Sequence, residues 1–498
     1  MIDIIIMDEI NCAIEGLEPD ELSEIASEFS FPIKDAHMQV AFQLKQWDGR
    51  ESIIDIDHEN DTGYTYLYYM EQVIERIMEL YGYSEYDINI VDERDDLPDF
   101  GDEPVPENYM EAEYGYPYRE HQHRIVNNAI EKLNGIFDAA TSAGKTLICA
   151  SIAKYFQPWL KSLTIVPTDY LLKQTAKEFK ECGLDVIAIE SKIPTKKRPQ
   201  KIREHKHIVI TWRLLNNLLK YEMDNDDICI YGEKFVVMYD ELQEFGDTMI
   251  DAFKDGLHNC PIRFGMSGTV PDKDKWKKAN IIGCIGDGVI DVAPVRYLMD
   301  KGYASEANIK MVDVVHEEIE ELCTEENVKE EIWNWGVEKN YYANEKRAEA
   351  IGDYIKTLDL KNTLILCHPD LGWELSKYLG VEMIDKDTDI EERQRLFDLF
   401  ESKEDHMFCA TFRTVGTGVS ANKIYRGIII DVGKNDVNIR QGIGRLIRLD
   451  GVYNEADIID ISANTYFSKK HRKDRKRIYR KHKYKFEENF DQIIVEGD

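Results

Sequence analysis

The sequence lacks long apolar runs. No stretch of about eighteen apolar residues, the length that a membrane span needs, occurs anywhere. The apolar start at residues 1–7 carries Asp3 and has no basic flank, unlike the start of a signal peptide. The sequence therefore indicates neither a membrane span nor a signal peptide, and we expect a soluble protein of the cytoplasm.

Closely spaced cysteine pairs are also lacking. The nine cysteines are scattered, without a CxxC pair and without histidines clustered at the spacing of metal ligands. We interpret them as reduced residues of the core and expect no zinc site. Their positions are Cys12, Cys149, Cys182, Cys229, Cys260, Cys284, Cys323, Cys367 and Cys409.

Positive charge is scarce in most of the chain. The 62 Lys and Arg residues stand against 95 Asp and Glu residues, a formal net charge of −33. Such a charge argues against non-specific binding of nucleic acid by the whole surface. One segment differs, because eleven basic residues and a single acidic one, Asp474, lie between Lys469 and Lys485. Any contact with nucleic acid is therefore expected to be local.

The length of the chain predicts several folding units. At roughly 150 residues per domain, 498 residues correspond to about three domains, and 43% apolar residues are typical of globular units. An acidic stretch with three prolines has a composition that resists compact packing. We predict a small α/β domain at 1–91, an acidic linker at 92–114, one lobe at 115–304, a second lobe at 305–465 and a basic C-terminal tail at 466–498.

Short apolar segments predict the strands. In the N-terminal domain we expect strands within residues 1–7 and 52–56 and a helix at 65–81. Beyond residue 118, strands without polar alternation take turns with helices, which is typical of parallel sheets covered on both faces. These strands are 162–166, 207–211, 235–239 and 262–266 in the first lobe, and 363–367, 407–411, 427–432 and 457–461 in the second. The predicted fold class is α/β, with two tandem lobes behind the small α/β domain.

A phosphate-binding loop is predicted at residues 139–146. The segment AATSAGKT fits the pattern GxxxxGK[ST], except that Ala139 replaces the first glycine. A strand-like pair precedes it and a helix-like run follows it. In that context backbone N–H groups bind phosphate oxygens, Lys145 reaches the β and γ phosphates, and Thr146 ligates Mg²⁺. The predicted ATP-binding residues of the loop are Thr141, Ser142, Ala143, Gly144, Lys145 and Thr146.

A carboxylate pair follows the apolar strand FVVMY about ninety residues later. The carboxyl ends of parallel strands form the edge where ligands bind in open α/β sheets. Asp240 is therefore predicted to hold Mg²⁺ through water, and Glu241 to orient and deprotonate the attacking water. A phosphotransferase or a transport ATPase would also use such a pair.

With these two elements the sequence resembles the superfamily 2 helicases, whose carboxylate element reads DExH or DExD. Here it reads DELQ, and Gln243 stands at the position that couples the ATP state to the other motifs of that family. The resemblance covers about residues 115 to 465. It implies two RecA-like P-loop lobes that use ATP and Mg²⁺.

Further segments resemble the motifs of the first lobe in that family's order. The segment YREHQ resembles the adenine-recognition element, IVPT and the pair Thr-Trp resemble segments that hold the nucleic-acid backbone, and SGT resembles the motif that links ATP state to the strand-binding face. The resemblance implies adenine contacts for Arg119 and Gln122, nucleic-acid contacts for Pro167, Thr168, Thr211 and Trp212, and coupling roles for Gln243, Ser267 and Thr269.

The second lobe contains QGIGRLIR, a match to QxxGRxxR, which a phosphotransferase or transport ATPase would not explain. Arg445 and Arg448 are three residues apart and share one face of a helix. The resemblance implies catalytic roles for Gln441, Arg445 and Arg448, the arginines stabilising the transferring phosphoryl group. The segment TFRTVGTGVS resembles a motif that meets strand and ribose, which implies a nucleic-acid contact for Thr411 and an ATP contact for Gly418.

Within the superfamily the sequence is most similar to the bacteriophage UvsW group of ATP-dependent DNA helicases. The N-terminal segment SFPIKDAHMQVAFQLKQWDGRESIID and the TGVS ending carry this likeness. It implies a monomer that remodels branched DNA, namely Holliday junctions, forks, D-loops and R-loops, in the host cytoplasm. Trp47 and Arg50 are candidates for DNA contact, and Trp47 is equally well explained as a core residue.

The basic segment predicts a nucleic-acid contact outside the family motifs. Clustered cations in an acidic protein are the electrostatic pattern expected of such a site, and we assign it to Lys473, Arg475 and Lys476. Two alternatives stay open from the sequence. An RNA or RNA–DNA helicase uses the same motor, and a nucleic-acid-binding ATPase without unwinding would follow if Gln243 does not support coupling.

Overall fold

The computed structural model describes residues 1–140, 142–268, 274–286, 288–326, 344–359, 361–416, 423–446 and 455–496. The chain divides into two compact units, the first comprising Met1–Ala139 and Gly144–Ala293 and the second Ala140–Ala143 and Pro294–Asp498. In the described part of the chain, no helix is both long and apolar enough to cross a membrane. The nine cysteines are buried, as their interpretation as core residues requires.

The first unit begins with a mixed sheet of order β5-β6-β2-β1-β7 and a two-stranded ribbon of β3 and β4. The strands are β1 (Ile2–Ile6), β2 (Asn11–Glu15), β3 (Ser30–Pro32), β4 (Arg50–Ser52), β5 (Asp55–Asp57), β6 (Thr62–Tyr66) and β7 (Ile88–Asp92). The helices are α1 (Pro19–Glu28), α2 (Val40–Gln43) and α3 (Met70–Tyr81). The small α/β arrangement predicted for this region is thus present.

The predicted helix at 65–81 begins too early. Residues Thr65 and Tyr66 belong to β6, where they pair with Cys12 and Asn11 of β2. A 3-10 turn at Leu67–Tyr69 separates this strand from α3. The helical spacing of apolar residues therefore continues into residues that pair as a strand, which is why the predicted helix starts before the observed one.

The rest of the first unit is a seven-stranded parallel sheet of order β10-β11-β9-β12-β13-β8-β14. Its strands are β8 (Asn134–Ala139), β9 (Lys161–Val166), β10 (Val186–Ile189), β11 (His207–Thr211), β12 (Phe235–Asp240), β13 (Ile262–Ser267) and β14 (Val289–Ala293). Its helices are α4 (Glu111–Tyr114), α5 (Glu120–Lys132), α6 (Lys145–Phe156), α7 (Asp169–Glu181), α8 (Arg198–Glu204), α9 (Trp212–Asn225), α10 (Asp247–Asp251) and α11 (Lys275–Ile285). A π-helical turn, Ala252–Gly256, follows α10.

The second unit also contains a seven-stranded parallel sheet, of order β17-β18-β16-β19-β20-β15-β21. Its strands are β15 (Glu306–Val315), β16 (Thr363–Cys367), β17 (Glu382–Ile384), β18 (Met407–Thr411), β19 (Arg426–Ile430), β20 (Glu455–Ala463) and β21 (Lys485–Ile494). Its helices are α12 (Val295–Asp300), α13 (Glu317–Leu322), α14 (Glu345–Lys356), α15 (Pro369–Leu379), α16 (Ile390–Ser402), α17 (Phe412–Gly416), α18 (Asp436–Leu446) and α19 (Tyr466–Lys481). The predicted fold class, two tandem parallel-sheet lobes behind a small α/β domain, is confirmed.

Two expectations about connecting segments need correction. The acidic stretch at 92–114 is not loosely packed, because Phe100, Val105 and Met110 are buried, and the Phe100 ring meets the Phe156 ring edge-on at 5.9 Å between centroids. The basic segment is not a tail, because it forms α19 and leads into β21, which pairs with β15 at the edge of the second sheet. In both stretches a few apolar residues within a charged sequence provide the packing.

Candidate active site

The phosphate-binding loop lies between β8 and α6, at the carboxyl edge of the first parallel sheet. Ser142 and Gly144 both have left-handed backbones, with φ of 76° and 77°. A Cβ at Gly144 would lie 2.1 Å from Nε2 of Gln122, and this contact together with the left-handed backbone favours glycine there. The N–H groups at the start of the twelve-residue α6 are thereby available to bind phosphate.

Lys145, the first residue of α6, lies between two carboxylates. Its Nζ is 3.4 Å from Oδ1 of Asp240 and 3.3 Å from Oε1 of Glu241. Burial alone would lower the pKa of Lys145, but the two carboxylates outweigh it and the pKa is raised. Burial also raises the pKa of Asp240, although Lys145 opposes that rise. The lysine therefore stays protonated at the end of β12, next to both acids of the DELQ element.

A chain of side-chain hydrogen bonds links Glu241 to the SGT segment. Gln243 Nε2 donates to Oε2 of Glu241 at 2.5 Å, and Ser267 Oγ donates to Oε1 of Gln243 at 2.6 Å. Ser267 ends β13, the strand between β12 and β8 in the sheet. An amide at position 243 can accept and donate at once, so Gln243 joins two segments that the sequence assigned to coupling.

Glu241 itself has a left-handed backbone, with φ of 63° and ψ of 60°. This conformation is uncommon for a residue with a side chain, and such residues concentrate at functional sites. Here the turn directs the Glu241 carboxylate back toward Lys145. The local backbone therefore contributes to bringing together two residues that are 96 positions apart in the sequence.

The adenine-recognition pair lies at the start of α5. Gln122 is buried, and its Oε1 accepts a hydrogen bond of 2.9 Å from the backbone N–H of Arg119. Its Nε2 is directed toward Gly144. The structure thus brings Gln122 next to the phosphate-binding loop, as an ATP-binding role requires.

The two segments of the first unit that are predicted to bind nucleic acid lie at the ends of two neighbouring strands. Thr168 follows β9 and accepts a hydrogen bond from the N–H of Leu171 at 3.3 Å, and Thr211 ends β11 and accepts one from Leu214 at 3.4 Å. Each threonine caps a long helix, α7 or α9. Pro167 precedes one cap and Trp212 follows the other, so the four predicted residues lie at one edge of the sheet.

In the second unit, α17 and α18 carry the motif residues. Thr411 ends β18 and its hydroxyl lies 2.6 Å from that of Thr414, both threonines being buried. Gln441 and Arg445 lie on α18, but their side chains lie outside the described part of the structure. The other predicted site residues outside the described residues are Thr141, Thr269, Gly418 and Arg448.

The assignment of Arg475 to nucleic acid is wrong. Its guanidinium is fully buried and donates to both oxygens of Asp460 at 2.9 Å, to the backbone oxygen of Val432 at 2.6 Å and to Oγ of Ser462 at 2.5 Å. Tyr479 donates to the same Asp460 carboxylate at 2.9 Å. The residue faces inward because it lies on the side of α19 that packs on the sheet.

The other two residues of that assignment differ from each other. Lys473 is exposed, whereas Lys476 is half-buried and lies 3.3 Å from Oε2 of Glu488. Four of the six exposed cations of α19 recur every four residues, a spacing that defines one helix face. We call this set the cationic stripe, and it consists of Lys469, Lys473, Arg477 and Lys481. The four-residue spacing is visible in the sequence, but it defines a surface only when the segment is known to be a helix.

Trp47 is half-buried, and its Nε1 donates to the backbone oxygen of Arg50 at 2.7 Å. It lines a cavity of about 530 Å³ within the first unit, together with Tyr66 and Trp276. The Arg50 Nε donates to Oγ of Ser30 at 2.9 Å. Both residues are thus engaged within the protein, and their contact with DNA stays a prediction.

The two predicted magnesium ligands, Thr146 and Asp240, offer oxygen donors next to Lys145. Thr146 follows Lys145 in α6, and Asp240 presents a carboxylate beside Lys145. Hydroxyl and carboxylate oxygens are the ligands that Mg²⁺ prefers. The donors present therefore fit the ion. Elsewhere, in the residues that the structure describes, no group of three or more His, Cys, Asp or Glu side chains is placed to hold a metal.

Comparisons with known proteins agree with the motifs. The family model described as "Type III restriction enzyme, res subunit" matches residues 115–272. The ATP-dependent DNA helicase uvsW of Enterobacteria phage T4 is 24% identical over 462 residues, covering 89% of this chain and 87% of that protein. The chain thus resembles the UvsW-type helicases of superfamily 2. The predicted recognition and the predicted enzyme class, an ATP-dependent nucleic-acid helicase, are thereby confirmed.

Solved structures are similar in fold. A fragment of a putative HsdR subunit of a type I restriction enzyme from Vibrio vulnificus has a TM-score of 0.54 at 13% identity, covering 89% of this chain and 78% of that one. The crystal structure of T4 UvsW has a TM-score of 0.42 at 19% identity, covering 99% and 100%. The first of these likenesses supports the fold of the two tandem parallel-sheet lobes.

Proposed function

We propose that the chain is an ATP-driven helicase that remodels branched DNA, including four-way junctions, forks, D-loops and R-loops, in recombination, repair and replication. The observation that carries the catalytic part is the position of Lys145 between Asp240 and Glu241, at 3.4 and 3.3 Å. The likeness to a DNA helicase over 89% of the chain supports the substrate class.

Each residue of this site has a separate role in ATP hydrolysis. Lys145 binds the β and γ phosphates, exchanging its contact with the carboxylates for one with the phosphate oxygens. Glu241 orients the attacking water and accepts its proton. Thr146 and Asp240 would hold Mg²⁺, which when bound neutralises charge on the phosphates. Arg445 and Arg448 are proposed to stabilise the transferring phosphoryl group.

Movement on nucleic acid would follow from the Ser267–Gln243–Glu241 chain. Loss of the γ phosphate changes the contacts of the Glu241 side chain. The hydrogen bonds of Gln243 transmit this change from Glu241 to Ser267 at the end of β13. The segments proposed to hold the strand follow β9 and β11 of the same sheet. Contacts of capped helix N-termini with phosphates do not depend on base sequence, so binding is expected to be independent of sequence.

The test is ATP hydrolysis by the purified protein, first without nucleic acid and then with single-stranded, duplex, forked and four-way DNA and with RNA of the same sequences. Strong stimulation by forked or four-way DNA, followed by unwinding of the same substrates, is the expected result. Stimulation by RNA alone would assign the chain to RNA. Hydrolysis that no nucleic acid stimulates would contradict the motor function.

A further inference from the structure

Lys277 contacts the turn that contains Glu241 and Gln243. It does so from α11, a helix that contains none of the predicted motifs. It lies in the first turn of α11, and its Nζ donates to the backbone oxygen of Gln243 at 2.6 Å. Gln243 is the residue whose side chain binds Glu241. Burial lowers the pKa of Lys277, and the carboxylates of Glu244 and Asp274 oppose that shift. The lysine is therefore partly withdrawn from water and directed at one carbonyl group.

Gln243 is consequently held at three points. Its side-chain oxygen accepts from Ser267, its side-chain nitrogen donates to Glu241, and its backbone oxygen accepts from Lys277. Only the third contact comes from outside the family's motifs. Hydrogen bonds from a charged donor are roughly twice as strong as neutral ones, so Lys277 is well suited to fix the turn that follows the left-handed Glu241.

The helix that carries Lys277 is itself held by the N-terminal sheet. Tyr66 OH donates to Oδ1 of Asn280 at 2.5 Å, and Tyr69 OH donates to the backbone oxygen of Ala279 at 3.2 Å. The Tyr66 ring lies against Gly283, where an added Cβ would come within 2.4 Å of the ring. Two tyrosines from the end of β6 and the turn after it thus grip one face of α11.

A second contact joins the N-terminal sheet to the segment that precedes β13. The backbone N–H of Glu9 donates to the backbone oxygen of His258 at 3.0 Å, and Asn11 Nδ2 donates to that of Lys254 at 2.9 Å. These two carbonyl groups belong to the segment that connects α10 to β13. The N-terminal sheet therefore contacts the rest of the first unit both before and after β13, the strand that ends in Ser267.

We propose that Lys277 is a positioning residue for Glu241, and that the N-terminal sheet supports ATP hydrolysis by holding the helix that carries it. This proposal rests on the proposed ATPase function. Lys277 contacts the backbone oxygen of Gln243, and through that residue it acts on Glu241. Its loss lets the turn relax and moves Glu241 away from the position in which it activates water, while Lys145 and the phosphate-binding loop keep their contacts.

The test compares Lys277→Met with Lys277→Arg and with Lys275→Met, which removes an exposed lysine from the same helix turn. Steady-state ATP hydrolysis is measured for each variant and for the wild-type protein. We expect kcat to fall roughly tenfold in Lys277→Met, equivalent to about 1.4 kcal/mol, with KM and the affinity for a fluorescent ATP analogue unchanged. Lys277→Arg is expected to recover most of kcat, and Lys275→Met to match the wild type.

Tyr66→Phe tests the remote part of the proposal. It keeps the ring on Gly283 but removes the hydroxyl from Asn280, and we expect a smaller fall in kcat, roughly threefold, again at constant KM. If Lys277→Met does not fold, Lys277→Gln keeps a neutral donor and is expected to show the same fall. Wild-type kcat in Lys277→Met or Lys277→Gln, or a change in KM alone, overturns the proposal. A wild-type protein without ATP hydrolysis overturns the proposed function and this inference with it.

Discussion

In each of the two parallel sheets, an aspartate on a strand forms an ion pair with a basic residue on a helix. The two ion pairs differ in the solvent exposure of their side chains. Lys145 and Asp240 retain 15% and 17% of their side-chain exposure and lie 3.4 Å apart. Arg475 and Asp460 are fully buried, and the guanidinium forms hydrogen bonds with four acceptor atoms. The first pair keeps room for another ligand, whereas the second has none. Exposure and completed hydrogen bonding therefore separate the proposed catalytic pair from the structural one.

Changing Lys145 or the neighbouring Glu241 is expected to have the largest effect on activity. Lys145→Ala should lower kcat for ATP by about 10³-fold or more, because the developing phosphate charge loses its cation. Glu241→Gln should abolish hydrolysis as well, because the water loses its base. ATP hydrolysis and thermal unfolding are measured together, with Lys132→Ala as an exposed-lysine control. Turnover retained in either variant, at an unchanged unfolding temperature, would show that the site is assigned wrongly.

Breaking the buried pair is expected to act on stability instead. Arg475→Met leaves the Asp460 carboxylate buried without its cation, which costs about 3–5 kcal/mol. The free energy of unfolding of the second unit is measured by denaturant titration. Arg477→Ala is the matched control, since its side chain is 66% exposed and its ion pair with Asp474 should contribute less than about 1 kcal/mol. Equal destabilisation by both variants would remove the distinction between the two faces of α19.

The smallest expected effect concerns the cationic stripe. Lys469→Glu combined with Lys473→Glu should weaken DNA binding and reduce the slope of log affinity against log salt by roughly 1.5, as for two lost phosphate contacts. Fluorescence anisotropy at several salt concentrations measures this slope. Lys356→Glu with Lys377→Glu, two lysines of other helices in the second unit, is the control for net charge. An unchanged slope would mean that the stripe does not contact DNA.

The sequence was sufficient to place eight strands of the two parallel sheets and to predict most residues of the candidate ATP site. Apolar segments without alternation marked strands such as β9, β11 and β12, because a strand covered on both faces has no polar side. The loop and the DELQ element were found because phosphate and water chemistry demand particular residues in order. The structure adds that Gln122 lies against Gly144, a contact that the order of the residues does not reveal.

Two other residues show where such prediction fails. Arg475 was counted among exposed cations because composition does not show which helix face is covered. No sequence motif indicated a role for Lys277. Its partner is the backbone oxygen of a residue 34 positions away, and every residue has such an oxygen, so the contact leaves no pattern in the sequence. Both assignments depend on packing between elements distant in sequence, which the pattern of a single segment does not contain.

The pairing of β15 has a consequence for how the protein is made. This strand, at Glu306–Val315, lies between β20 and β21, and β21 spans Lys485–Ile494. The second sheet therefore cannot be completed until residue 494 has left the ribosome, whereas the parallel sheet of the first unit, among the described strands, includes none beyond residue 293. Domains generally fold as units during synthesis, the N-terminal one first. A chain that stops before residue 485 would leave β15 with an open edge, which favours aggregation.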